Sequence, residues 1–265
     1  MTTKNSSTTA ATLIEEAHAQ GLLSPDALQV LQIADLGAQI QAGLGISVDD
    51  VPASEVVLLT IMPDDSGSIA GAGNEQVVRD GHNLVLESLG KSKQRDAILA
   101  HTRYLNGRVL FPYRVLDQAV RMDAANYHAD NGTPLYDQTV VLLGTVLAKA
   151  QEFANAGVLA RTVTLLITDG ADEHSVRCRA RDVAAVVKDL QRAETHIVAA
   201  MGIANGSTHF REVFREMGIE DRWILTPGNN TNEIRRAFQL FSQSAVRASQ
   251  GAAGFANASV GGFGR

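Results

Sequence analysis

From Glu55 onward the chain alternates short apolar runs with longer amphipathic ones, the rhythm of strands and helices taken in turn. Val56-Val57-Leu58-Leu59-Thr60-Ile61 is a continuous run of the kind found in strands buried on both faces. A glycine-rich turn follows, then a helical face of Val77, Val78, Leu84, Val85 and Leu89. Residues 98–105 and 109–111 read as two strands joined by Asn106-Gly107, a strong hairpin signal, and Pro112 suits an edge strand. A helix is predicted from near Thr133-Pro134 through Leu142, Leu143, Val146, Leu147 and Phe153, followed by a second buried strand at Val163–Ile167. A helix at Val183–Leu190, a strand at Ile197–Met201, a short helix at His209–Met217 and a strand at Trp223–Leu225 come next. Thr231 is the expected N-cap of a last helix that turns Ile234, Ala237, Phe238, Phe241 and Ala245 inward.

Such alternation, with one hairpin inserted, predicts a mostly parallel sheet with an antiparallel edge strand and helices on both faces, an α/β fold. The chain ahead of it is different. Residues 1–8 are polar and expected to be disordered. Residues 9–50 read as an acidic helical extension: Leu13, Ile14 and Ala17 give one apolar face, and Ser24-Pro25 starts a second helix, with serine as N-cap and proline at its first position. Its apolar content favours packing on the main domain over a free docking arm. The main domain is expected over 51–247. Residues 248–265, rich in glycine and small side chains, read as a flexible tail in which Phe255 and Phe263 are unstructured.

Composition narrows the function classes. Of the net charge of -6, residues 1–50 carry -5, from six acids against Lys4 alone. No basic stripe is left to neutralise phosphates, so nucleic acid is not an expected partner. No apolar run is long enough to span a membrane, and the N-terminus lacks a secretory core, which leads to the expectation of a cytoplasmic protein. Cys178 is the sole cysteine, which excludes an internal disulfide and a thiolate metal cluster.

The chemistry gathers at strand ends. In an open parallel sheet, ligands bind beyond the carboxyl ends of the strands. The first strand runs into Pro63-Asp64-Asp65-Ser66-Gly67-Ser68, a later one into Thr168-Asp169-Gly170, and Asn131-Gly132-Thr133-Pro134 opens a helix between them. Together they offer two carboxylates, Asp64 and Asp169, and three hydroxyls, Ser66, Ser68 and Thr133. An oxygen-only set selects a hard cation such as magnesium. Asp65 reads first as the loop's solvated carboxylate, with a role in supporting the ligating residues from outside as the alternative, and Asp137 as an acid placed to suit a helix dipole. Asp172, Glu173, His174 and His128 are placed near the metal face by their loops, but exposed loop polarity explains them equally well, so they are left out of the site.

Asp64-x-Ser66-x-Ser68, then Thr133, then Asp169 within Ile-Thr-Asp-Gly, resembles the complete metal-ion-dependent adhesion site of von Willebrand A domains, over roughly residues 55–245. The resemblance implies a Rossmann-like sheet with Mg2+ (or Mn2+) on its rim. It also implies that Ser66, Ser68 and Thr133 ligate directly, that Asp64 and Asp169 act mainly through coordinated water, and that a partner's Asp or Glu completes the metal's open position. A non-catalytic binding module is the expectation, resembling bacterial tellurium-resistance and stress-associated proteins that work with AAA+ ATPases of the MoxR type or other assemblies. The alternatives are an extracellular adhesin, an accessory protein of a phage or defence system, and a magnesium-dependent phosphatase or other hydrolase. The last needs a nucleophile–base pair and cations for the phosphoryl oxygens. No Lys or Arg lies in 64–74, around Thr133, or in 168–175, and neither a G-x-x-x-x-G-K-[ST] nor a G-x-S-x-G motif is present.

Overall fold

The computed structural model describes residues 9–263, so the segment 1–8 expected to be disordered lies outside the described residues. Six strands form one sheet: β1 (Glu55–Met62), β2 (Ile98–Arg103), β3 (Val109–Val115), β4 (Leu159–Thr168), β5 (His196–Gly202) and β6 (Ile224–Leu225). Their order is β3-β2-β1-β4-β5-β6. Only β2 and β3 run antiparallel; all other neighbours are parallel. The apolar runs are explained by this placement, since β1 and β4 are central and buried on both faces. Met62 pairs with Leu166, so the two strands leave the sheet side by side at the same rim.

The edge hairpin forms where the Asn-Gly pair predicts it. Gly107 takes a φ of +93°, which a β-carbon would oppose, and the Tyr104 N–H closes the turn on the Arg108 carbonyl at 2.8 Å. Pro112 lies in β3 at the sheet's border, where its missing N–H costs no ladder bond. β2 is shorter than expected, ending at Arg103, and β6 is only two residues long.

A short helix, α4 (Gly67–Gly71), begins inside the turn that reads as glycine-rich, and α5 (Glu75–Gly90) returns the chain toward the β3 edge. Helices α6 (Leu135–Asn155) and α7 (Ala180–Arg192) carry it the other way. Right-handed crossovers therefore put α5 on one face and α6 with α7 on the other. Helix α8 (Phe210–Glu216) follows β5, and α9 (Thr231–Ser249) packs on α5. At that contact Gly81 is needed, because a β-carbon there would stand 2.1 Å from the Phe238 ring. The cap of α9 is Asn230 instead of Thr231: its side-chain oxygen accepts the Glu233 N–H at 3.0 Å.

The N-terminal extension folds as α1 (Ala10–Ala19), α2 (Pro25–Leu31) and α3 (Ala34–Gln41) against α6 and α7. Leu13, Ile14, Ala17, Leu31 and Ile40 are buried in the main core, and Gly144 of α6 admits Ile40 and Leu31. Ser24 caps α2 and also donates from its N–H and hydroxyl to Asp189 of α7 at 2.7 and 2.6 Å. Under α3 lies a sealed polar cluster. Arg103 is 0% exposed; its Nη2 donates to the Gln39 carbonyl at 2.8 Å, while Nε and Nη1 lack a partner among the described residues. His101, equally buried, donates from Nδ1 to the Phe111 carbonyl at 2.7 Å.

The flexible tail expected over 248–265 is not what the structure shows for its described residues, 248–263. Helix α9 continues to Ser249, and Ala252–Gly261 form a further helix, α10, packed on it. Phe255 and Phe263 are buried, the latter edge-on to Trp223 at a centroid distance of 5.1 Å. Alanine is the best helix former, and two aromatic anchors in a groove outweigh the entropy that the glycines add. Among the described residues, no helix is long and apolar enough to cross a membrane.

Candidate metal centre

The exit of β1 sets the geometry. Asp64, 0% exposed, turns back on its own loop, and its Oδ1 accepts the Ser66 N–H at 2.7 Å. Its Oδ2 accepts the Thr168 hydroxyl at 2.7 Å and the Asp169 N–H at 3.4 Å, so one carboxylate ties the ends of β1 and β4 together. The Tyr127 hydroxyl donates to the Asp64 carbonyl and closes the loop from below. This pins Ser66 at the start of α4, with Ser68 one step along it. Their hydroxyls lie 3.0 Å apart, and Ser68 donates to Asp169 Oδ1.

Thr133 reaches the same place from the third segment. Its hydroxyl oxygen would lie 3.7 Å from a β-carbon on Gly170, so it faces the Asp169 loop, and among the described residues it makes no hydrogen bond. Two clasps hold it. On one side Ser66 and Asn131 form a parallel bridge, with the Gly67 N–H on the Asn131 carbonyl at 3.0 Å. On the other, the Thr133 N–H donates to His174 Nδ1 at 2.9 Å, and the Thr133 carbonyl accepts the N–H groups of Glu173 and His174. All five residues expected from the sequence, Asp64, Ser66, Ser68, Thr133 and Asp169, are thus brought to one rim. Asp64, Ser66, Thr133 and Asp169 are buried, while Ser68 is exposed and marks the open side.

Electrostatically the rim is unbalanced. Burial pushes the Asp64 carboxyl above the ordinary carboxylate range, against the hydrogen bonds from Ser66 and Thr168 that hold it down. Asp169 is pushed up to about 6, first by burial and then by the charge of Asp64. Asp65 is pushed up to about 7 by burial, with Asp64 adding to it and Arg108 offsetting little. A cation in contact with these oxygens would reverse the shifts at Asp64 and Asp169, since opposite charge favours the ionised form. The donor set fits a hard one: the five residues offer carboxylate and hydroxyl oxygens only, with no imidazole or thiolate among them.

Five neighbours do more than the sequence suggests. Asp65 is not solvated but 0% exposed, accepting the Asn106 N–H at 2.9 Å and the Asn131 side-chain amide at 3.1 Å. Asp137 does more than suit a dipole; its carboxylate gathers the N–H groups of Val176, Arg177 and Cys178 and fixes the loop that follows Asp169. His174 belongs to the cluster through Thr133, as does Thr168 through Asp64. The signal available for Thr168 was its place beside Asp169 at the strand end; for His174 it was a place in the loop after Asp169, toward the metal face, which loop polarity explains equally well. Asp172 accepts the Tyr136 N–H and the Ser175 hydroxyl, bracing the same loop, and His128 stays exposed.

No family model matches the chain, and no curated protein does. Solved structures do match in fold. The pilus adhesin SpaC from Lactobacillus rhamnosus GG, in its open conformation, superposes with a TM-score of 0.54 at 13% identity, over 74% of this chain and 30% of that one. The SpRpn10 VWA domain superposes with a TM-score of 0.50 at 9% identity, over 74% of this chain and 98% of its own. The chain therefore spans less than a third of the adhesin but nearly the whole of the isolated domain. Identities this low speak for the fold alone, and the fold is that of a von Willebrand A domain: a Rossmann-like, mostly parallel sheet with one antiparallel edge strand and helices on both faces.

Proposed function

We propose that this von Willebrand A fold presents a divalent cation, magnesium or manganese, to an acidic side chain of a protein partner. One observation carries the reading. Asp64, Ser66, Ser68 and Asp169 converge in a single hydrogen-bonded cluster at the sheet's carboxyl rim, with the free Thr133 hydroxyl facing it. Ser66, Ser68 and Thr133 would hold the ion through hydroxyl oxygen, and Asp64 and Asp169 mainly through its coordinated water. The ion would supply a Lewis-acidic position for a partner's Asp or Glu. The chain's own part is to pre-place the hydroxyls, as the Asp64 bridge between β1 and β4 does.

The module acts by binding and not by catalysis. Among the described residues no His, Lys or Cys side chain hydrogen-bonds to Ser66 or Ser68, and the one carboxylate that accepts from Ser68, Asp169, is in this reading engaged with the ion's coordinated water. Its setting, in this reading, is an intracellular adaptor that recruits an AAA+ ATPase of the MoxR type or another assembly; surface adhesion is the competing outcome of the test. That test is affinity capture by the full chain with magnesium against chelator, read by mass spectrometry, with Asp64→Ala alongside. Magnesium-dependent capture of an intracellular assembly, lost in Asp64→Ala, supports the reading. Capture that ignores both chelator and substitution ends it, and turnover in a magnesium-dependent phosphatase screen would replace binding by catalysis.

A further inference from the structure

Asp65 occupies the variable position inside Asp64-x-Ser66, where chemistry toward a metal asks nothing of the side chain. Yet it is 0% exposed, which for a carboxylate is costly unless every donor around it is used. Its three oxygens reach two other segments. Oδ1 accepts the backbone N–H of Asn106, in the turn of the β2–β3 hairpin, at 2.9 Å. Oδ2 accepts the Asn131 side-chain amide at 3.1 Å, and the Asp65 carbonyl accepts the Asn131 backbone N–H at 3.1 Å. Asn131 in turn returns its carbonyl to the Gly67 N–H at 3.0 Å. Pro63 adds a parallel tie, its carbonyl accepting the Leu105 N–H at 3.1 Å. Asp65 is therefore where the serine loop, the edge hairpin and the segment carrying Thr133 meet.

We infer that Asp65 is a positioning residue of the metal centre: it sets the distance between the Ser66–Ser68 hydroxyls and Thr133 by clamping Asn131, and it anchors that clamp to the Asn106 turn. The inference rests on the proposed metal reading and deepens it. Asp65 points into its own loop and holds Asn106 and Asn131, so its action on a cation passes through Thr133. Outer partners of this kind, which orient ligating groups, typically alter affinity by about 10–100-fold when lost. A competing account is that Asp65 helps only by adding negative charge near the ion. The two accounts separate at Asp65→Asn, which keeps an oxygen for the Asn106 N–H and an amide that can pair with a turned Asn131, but has no charge.

The experiment uses the full chain and Mn2+, with bound metal read from the loss of the free-ion EPR signal, and amide hydrogen exchange in chelator as a metal-free readout. Asp65→Ala is expected to weaken Mn2+ binding about 10–100-fold and to speed exchange at the Asn106 amide. Asp65→Asn is expected to stay within about threefold of wild type and to keep that amide protected. Asn131→Ala is expected to mimic Asp65→Ala, with the double variant no weaker than either, as for residues acting as one unit. Wild-type affinity in Asp65→Ala overturns the inference, and so does an Asp65→Asn variant as weak as Asp65→Ala, which would assign the effect to charge. A wild-type chain that takes up no Mn2+ removes the metal reading and this one with it. A binding wild type beside an unaffected Asp65→Ala removes this one alone. Should Asp65→Ala fail to fold, Asp65→Asn and Asn131→Ala still decide.

Discussion

Among the described residues, two regions bury ionisable groups of one sign with little opposite charge beside them, and they are built to opposite ends. At the sheet's carboxyl rim, Asp64, Asp65 and Asp169 crowd together, and burial raises all three carboxyls. Under α3, Arg103 and His101 are packed together with no carboxylate, and burial pushes the guanidinium down to about 10 and the imidazole to about 3. The rim is open on the Ser68 side and ringed by hydroxyls, one of which, on Thr133, has no partner among the described residues. The cluster under α3 is sealed, with the Gln39 carbonyl as the lid on Arg103. Unbalanced charge at an open edge among convergent oxygens is what the proposed cation would neutralise. The same imbalance behind a helix is a cost carried by the surrounding packing.

The largest effect should come from filling the rim. Divalent cation should stabilise the wild-type chain by about 2.7 kcal/mol when present at about a hundred times its dissociation constant, since it binds the folded state alone. Thermal unfolding with Mg2+ or Mn2+ against chelator measures this directly. In Asp64→Ala, and in the Ser66→Ala, Ser68→Ala pair, the metal-dependent gain should vanish while the chelated protein still melts cooperatively. An undiminished gain in Asp64→Ala would mean that the cation sits elsewhere and that the rim is no different in kind from the sealed cluster.

The sequence showed the rim and hid the interior cluster for the same physical reason. Strand ends and turn residues are local, so Asp64, Ser66, Ser68, Thr133 and Asp169 could be placed on one edge from strand order alone. What holds them there is not local: the Thr168 hydroxyl on Asp64 spans 104 residues, and the Thr133 N–H on His174 spans 41. Asp65 was misread because solvation of a loop carboxylate is decided by what folds over it, here Asn106 and Asn131. The burial of Arg103 is likewise decided from afar, by α3 laid across the end of β2. The tail failed differently: composition argued for a linker over 248–265, whereas its described part, 248–263, is held by where Phe255 and Phe263 land, against Trp223 and Phe241 in the latter case.

A smaller effect separates the two regions by acid. Burial lowers His101 to about 3, and His82 and His196 to about 4, so the native state keeps these rings neutral while the unfolded chain protonates near pH 6.5. A folded-state pKa below the unfolded one means that stability is retained above about pH 6.5 and lost as pH falls toward the folded value. Between pH 7.5 and 5.5 each such ring should cost about 1.4 kcal/mol. The raised carboxyls at the rim act in the opposite direction, so the wild-type profile mixes both. His101→Gln isolates one ring: the stability difference between variant and wild type, from urea unfolding in chelator, should shift by about 1.4 kcal/mol in the variant's favour over that range. A difference that does not move with pH would show that His101 titrates in the folded state and that the cluster is not sealed.

The smallest effect is the most diagnostic of the sealed region. Arg103→Met keeps most of the volume and removes a buried charge that no carboxylate balances. Replacing buried ions by apolar groups of similar size is often neutral or stabilising. Against this stands the Gln39 carbonyl, which loses its donor; a buried acceptor left without a partner costs about 1–3 kcal/mol. The two terms oppose each other, and the net change expected is within about 1 kcal/mol, with divalent affinity within about twofold of wild type. A loss of several kcal/mol would mean that Arg103 has a balancing partner, such as ordered water bridging its Nε and Nη1. A loss of metal affinity would instead connect the sealed cluster to the rim along β2, whose far side continues through Leu105 and Asn106 to the backbone of Pro63 and the carboxylate of Asp65. In that case the division between a waiting site and a packed cost would give way to one continuous device, with the N-terminal helices as its far end.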